Sequence, residues 1–221
     1  MRTGPAVAPA VPVRPGSIGM LGGTFDPVHV GHLAVAEEVR EALGLERIVF
    51  VPAALPPHKV DRPVTAPEHR AAMVELAIAD NPAFALSRIE LERAGPSYTV
   101  DTLETLAAGM GDPASLVLIM SAEAFREFRT WRRPERILEL ARVAVVPRDG
   151  YPAASRAFLA EHFPGYEDRA VFLPGPRLRL SASDLRERAA RGRSLRYLVP
   201  DAVASYIGDH ALYSDPLWRK N

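Results

Sequence analysis

The stretch GGTFDPVHVGH, residues 22–32, sets two histidines three positions apart behind a pair of glycines. Gly22 and Gly23 carry no Cβ, so backbone N–H groups there can approach an anion closely. Thr24 adds a hydroxyl and Pro27 stiffens the turn. On a helix, His29 and His32 share a face, and Gly31 between them leaves room for a ligand against the helix start. A helix start carries N–H donors and a positive partial charge, which suits phosphate. The chemistry on offer is the cradling of a phosphate group.

Other readings of these residues fail or stay open. The chain has neither the G-x-x-x-x-G-K-[ST] loop nor the G-x-G-x-x-G fingerprint. An H-x-x-H pair could be half of a zinc site, but no third ligand stands nearby, and metalloprotease histidines are four apart with a Glu between them. A glycine-rich turn with two helix-capping histidines is the plain alternative, and the motif alone leaves it open.

Elements must hold such a loop in place. SIGML, from Ser17, is an apolar run ending at the glycines, and HLAVAEEVREAL has apolar residues at helical spacing with Gly44 as its C-cap. RIVFVPA is a continuous apolar run, as in a strand covered on both faces. Helical and strand-like runs then alternate: APEHRAAMVELAIADN, AFALSRIEL, SYTVDTLETLAAGMG, SLVLIM, PERILELA, RVAVVPR, AASRAFLAEHF and AVFLPG. SASDLRERAARG and PDAVASYIGDHALY close the chain as two helices. Alternation of this kind predicts βαβ units and an α/β fold, with a mainly parallel sheet, helices on both faces and C-terminal helices. Ligands of such sheets bind at the carboxyl ends of the strands, which is where Gly22 and Gly23 stand.

Bulk properties narrow the function. The 221 residues are 48% hydrophobic, and Lys plus Arg balances Asp plus Glu at 27 each. A neutral chain argues against general nucleic-acid coating. The absence of cysteine excludes disulfides, thiolate metal sites and cysteine nucleophiles. No apolar run approaches the roughly 20 residues that span a bilayer, so no membrane partner is expected. Pro5, Pro9 and Pro12 interrupt the Ala/Val-rich start and argue against a secretory signal. Residues 1–16 read as a disordered leader, 17–213 as a single domain with 181–213 its C-terminal helical part, and 214–221 as a tail.

GGTFDPVHVGH resembles the signature of the HxGH nucleotidyltransferases. From Ser17 to Tyr213 the chain is similar to the nicotinate-nucleotide adenylyltransferases of bacteria. PPHK (Pro56–Lys59), SYTVDTL (Ser97–Leu103), Trp131, VVPRDGYP (Val145–Pro152) and LSASDLRERAARG (Leu180–Gly192) carry that likeness. Two places depart from the family pattern. MSAEAF, with Ser121 and Glu123, stands where G-x-D is usual, and Ser183 stands where Thr is usual.

The resemblance implies a Rossmann-like doubly wound fold, and a step of NAD biosynthesis. ATP and nicotinate mononucleotide would give nicotinate adenine dinucleotide and pyrophosphate, with Mg²⁺ carried on the ATP phosphates, in the cytoplasm. The attacking phosphate is already ionised, so positioning and charge stabilisation suffice. His29, His32, Lys59 and Arg186 are the catalytic candidates. Gly22, Gly23, Thr24, Phe25, Gly31, Ser181, Ser183 and Glu123 are candidates for ATP. For the mononucleotide, the resemblance implies Trp131 stacking on the pyridine ring, the amides of Tyr98 and Thr99 receiving its carboxylate, and Arg148. Lys59, one of two lysines, sits in a proline-rich loop, and Arg186 follows Ser181 and Ser183 near a predicted helix start. His69 reads as a surface residue, and Arg70 on the same predicted helix is ambiguous. The rivals are another nucleotidyltransferase of this superfamily, of phosphopantetheine or amide mononucleotide type, and a non-catalytic nucleotide-binding module. A tRNA-handling protein with a related motif would need further domains.

Overall fold

The computed structural model describes residues 15–54, 63–109 and 115–218. Six strands form one sheet: β1 (Ile18–Gly23), β2 (Arg47–Pro52), β3 (Phe84–Leu86), β4 (Leu116–Ser121), β5 (Arg142–Val146) and β6 (Ala170–Phe172). Their order is β3-β2-β1-β4-β5-β6, and β1–β4, β4–β5 and β5–β6 pair in parallel. This is the doubly wound, Rossmann-like order, in which the sheet grows outward from β1 to β3 and the chain then returns to lay β4 on the other side of β1. Among the described residues eight α-helices accompany it: α1 (Val30–Leu43), α2 (Pro67–Ile78), α3 (Thr99–Ala108), α4 (Ala122–Arg126), α5 (Pro134–Leu140), α6 (Arg156–His162), α7 (Ala182–Ala190) and α8 (Asp201–Asp209). No helix among the described residues is long and apolar enough to cross a membrane.

The described residues fall into two compact units, those within Met1–Leu21, Val35–Ile48 and Thr99–Arg177 forming one and those within Gly22–Ala34, Val49–Tyr98 and Leu178–Asn221 the other. In the first, β4 and β5 are buried almost end to end, as their unbroken apolar sequences require of central strands. Gly19 lets β1 lie close to its neighbours, because a Cβ there would stand 2.6 Å from Ile48 Cδ1. Phe125, Phe128 and Phe163 make an aromatic core, Phe125 with Phe158 and Phe172 around it and Phe128 against Phe163. In the second unit, α2 packs on α8 and β3, and α7 packs on a 3₁₀ turn at Pro216–Trp218.

Two elements differ from the sequence pattern. AFALSRIEL is strand only at Phe84–Leu86, after which the chain turns, with Glu92 N–H donating to the Arg88 carbonyl. MSAEAF, read only as a departure from G-x-D, opens the short helix α4, and Ser121 caps it by accepting from Ala124 N–H at 3.2 Å. The serine in place of glycine thus has a local reason. Gly44, expected as the C-cap of α1, has φ +63°, and Leu45 N–H closes the helix on the Arg40 carbonyl.

Candidate active site

β1 ends in Gly22 and Gly23, and α1 begins at Val30 with no acidic side chain in its first turn. His29 is buried and its carbonyl accepts from His32 N–H at 2.9 Å. In return, His29 N–H donates to His32 Nδ1 at 3.2 Å. With Nδ1 as acceptor, a neutral His32 carries its proton on Nε2, so the ring presents an N–H donor there. The two rings stack with centroids 3.6 Å apart, and Phe25 meets His32 edge-on at 5.1 Å. Gly31 makes this stack possible: a Cβ there would lie 3.0 Å from His29 Nδ1. The space expected to serve a ligand beside Gly31 is taken by the His29 ring.

The loop between β1 and α1 is gripped from beneath. Arg70, from α2, has no exposed surface. It donates to the carbonyls of Thr65 (2.8 Å), Thr24 (2.8 Å) and Ala54 (3.2 Å). A trans peptide points C=O and N–H in opposite directions, so drawing the Thr24 carbonyl toward Arg70 turns the Phe25 N–H away from it. Phe25 holds φ +51°, outside the range most side chains adopt, and its ring occupies the space a Cβ on Gly23 would need, at 3.1 Å. Burial pulls the Arg70 guanidinium below its ordinary pKa, opposed by the charge of Asp26. Arg70 is the residue that sequence reasoning left ambiguous. Its place in the apolar stripe with Met73, Val74 and Ala77 was the signal that it points inward.

Arg186, on α7, joins the same loop. Its Nη1 donates to the Asp26 carbonyl at 2.6 Å and stands 3.9 Å from Asp26 Oδ2. Its Nη2 donates to Ser183 Oγ at 3.3 Å, and Trp218 lies over the guanidinium at 4.9 Å. Ser181 caps α7, accepting from Asp184 N–H. The structure therefore brings together His29, His32, Gly23, Thr24, Phe25, Gly31, Ser183 and Arg186. It adds Asp26, Tyr213 and Trp218, to which sequence reasoning gave no role, and Arg70, which it left ambiguous.

The remaining candidates divide. Lys59 lies outside the described residues. Tyr98 precedes α3 and Thr99 is its first residue, with Asp101 also in that first turn. Ser97 Oγ accepts from Ala54 N–H at 3.1 Å. In the first unit, Glu123 and Arg148 are neighbours, Arg148 Nε lying 3.7 Å from Glu123 Oε2. Tyr151 donates to Glu123 Oε1 at 2.7 Å, and that bond pushes the Tyr151 hydroxyl pKa up. Tyr151 was within a quoted motif but unassigned. Trp131 is half-buried against Phe128, ring centroids 5.6 Å apart.

A doubly wound sheet whose first strand ends in a gripped glycine loop and a histidine-bearing helix start defines a nucleotidyltransferase. The cytidylyltransferase-like family model matches residues 20–188. A relative from Roseiflexus sp. (strain RS-1) is 51% identical over 197 residues, covering 89% of this chain and 97% of its own. One from Symbiobacterium thermophilum is 49% identical over 199 residues, covering 89% and 94%. Both carry the name probable nicotinate-nucleotide adenylyltransferase. A solved structure of the Plasmodium falciparum nicotinic acid mononucleotide adenylyltransferase, complexed with NaAD, shares the fold at TM-score 0.72 and 18% identity, over 89% of this chain and 97% of that one. The chain belongs to the cytidylyltransferase-like family and, within it, to the nicotinate-nucleotide adenylyltransferases.

Proposed function

We propose that the protein transfers the adenylyl group of ATP to nicotinate mononucleotide, releasing pyrophosphate and forming nicotinate adenine dinucleotide in NAD biosynthesis. The observation that carries the chemistry is the stacked His29–His32 pair at the start of α1, with His29 N–H donating to His32 Nδ1. The acceptor comes from the family, through relatives about half identical over nearly their whole length.

A mononucleotide phosphate oxygen attacks the α-phosphorus, the bond to the bridging oxygen of the β-phosphate breaks, and pyrophosphate leaves. The attacking group is ionised at neutral pH, so no general base is required. What this chain supplies is placement and charge. His29 and His32 face the phosphates with ring N–H groups, and Gly22, Gly23, Thr24 and Phe25 offer backbone and hydroxyl donors. Arg186 and Lys59 balance the charge of the leaving pyrophosphate. Ser181 and Ser183 hold the start of α7, and Glu123 faces the nucleotide. Trp131 stacks on the pyridine ring, the amides of Tyr98 and Thr99 take its carboxylate, and Arg148 meets the mononucleotide.

Mg²⁺ fits this site as a passenger of the substrate. Mg²⁺ is commonly held through substrate phosphates rather than by an all-protein cage. Bound there, it neutralises charge on the triphosphate. A cytoplasmic location follows from these substrates.

The test is a pyrophosphate-release assay with ATP, Mg²⁺ and a panel of acceptors: nicotinate mononucleotide, its amide, and phosphopantetheine. Turnover strongest with the nicotinate form and absent with phosphopantetheine supports the reading. Turnover with phosphopantetheine alone, or with none, defeats it.

A further inference from the structure

The segment that follows α8 takes no part in the chemistry above, yet it delivers two aromatic residues to the phosphate loop. Tyr213 is 3% exposed, holds φ +64°, and donates its hydroxyl to Asp26 Oδ1 at 2.7 Å. Trp218 meets the Tyr213 ring edge-on at 5.5 Å and covers the Arg186 guanidinium at 4.9 Å.

Asp26 poses a problem that this contact answers. Its carboxylate is 2% exposed and sits in the loop that is to receive a triphosphate. A buried anion there opposes substrate unless its charge is matched and its direction held. Two guanidinium groups, Arg70 and Arg186, face this one carboxylate. Arg70 is tied to three carbonyls, whereas Arg186 Nη1 is only 3.9 Å from Asp26 Oδ2. Short of a tight pair, Arg186 instead donates to the Asp26 backbone carbonyl. The carboxylate is held off by its other partners, the Tyr213 hydroxyl on Oδ1 and Thr65 N–H on Oδ2 at 3.3 Å.

We infer that Tyr213 is a positioning residue for ATP: by holding the Asp26 carboxylate, it keeps Arg186 from closing into a tight ion pair and leaves the guanidinium directed to the triphosphate. Without the hydroxyl, the carboxylate swings toward its nearest mobile cation. Arg186 is then neutralised, and the loop that leads to His29 and His32 shifts with Asp26. The inference rests on the reading of this loop as the ATP site.

Tyr213→Phe keeps the buried ring and removes only the hydroxyl. The measurements are the affinity for α,β-methylene-ATP with Mg²⁺ by calorimetry, the KM values for ATP and nicotinate mononucleotide, and the melting temperature. Analogue affinity is expected to fall roughly tenfold, the size of one hydrogen bond to a charged group, with a matching rise in KM for ATP. KM for the mononucleotide should stay within about twofold. In an Asp26→Asn background the same change should have little further effect, because a neutral amide does not capture Arg186. A lower melting temperature with unchanged analogue affinity makes Tyr213 a packing residue only and overturns the inference, as do equal losses in both backgrounds. Should Tyr213→Phe not fold, Trp218→Leu serves: a several-fold loss of analogue affinity supports the segment's role, and unchanged affinity overturns it. Analogue binding needs no acceptor. A parent that binds the analogue but does not adenylate nicotinate mononucleotide defeats the acceptor assignment and leaves the role of Tyr213 standing. A parent with full turnover and a silent Tyr213→Phe does the reverse.

Discussion

His29 gives its backbone N–H to Nδ1 of His32 while the two imidazole rings stack 3.6 Å apart. One residue thereby sets both the tautomer and the tilt of the other. Phe25 meets His32 edge-on at 5.1 Å, so the ring that offers Nε2–H is held by two aromatic neighbours. A donor fixed before substrate arrives needs no reorganisation when charge develops on the phosphates.

His32→Ala should therefore lower turnover by about 10²–10³ with the fold retained. Steady-state kinetics beside circular dichroism would check this. Near-normal turnover in a folded variant removes His32 from the catalytic set.

Arg70→Met should act on stability first. The methionine fills much of the volume but leaves three carbonyls without their donor and Asp26 with Arg186 as the one facing guanidinium among the described residues. Breaking a buried charge arrangement of this kind costs about 3–5 kcal/mol, or a melting temperature lower by roughly 10 °C for a chain of this size. Thermal unfolding would measure it. A shift of a degree or two means that the three carbonyls find other partners.

Nicotinate mononucleotide should be preferred over its amide by roughly tenfold to a hundredfold in kcat/KM. In the proposed carboxylate site the N–H groups of Tyr98 and Thr99 would meet two acceptors on the acid, whereas the amide would turn an NH₂ group toward one of them, at about 1–3 kcal/mol. Trp131→Ala should raise KM for both and leave their ratio nearly unchanged, since ring stacking does not distinguish acid from amide. Equal specificity constants in the parent would reject the carboxylate site.

Alkaline pH offers a reading of Tyr213 that needs no substrate. Burial foremost, then the charge of Asp26, pushes its hydroxyl well above the ordinary 10.0. In the unfolded chain this proton leaves near pH 10, while the folded protein keeps it. The stabilisation is complete below that pH and is lost progressively above it. The melting temperature of the parent should thus fall more steeply than that of Tyr213→Phe from about pH 10 upward. Parallel curves would mean that Tyr213 ionises as easily folded as unfolded.

The glycine loop and the two histidines stood out in the chain because their spacing is local, and the late Ser181–Ser183–Arg186 group because LSASDLRERAARG resembles a family motif. A strand running into glycines and histidines three apart are relations within one or two turns. Apolar runs against helical periods were enough to place seven of the eight helices and the parallel sheet. The exception, α4, is five residues long, too short for a period to register. What the chain could not disclose were partnerships across it. Arg186 donates to a carbonyl 160 residues earlier, and Tyr213 to a carboxylate 187 residues earlier. No spacing rule links such positions, since each pairing exists only once α2, α7 and the segment after α8 have packed around the loop. Arg70 shows the reason most plainly. Its place in the apolar stripe of α2 marks it as inward-facing, but only the packing of three carbonyls around it makes it the grip on the β1–α1 loop.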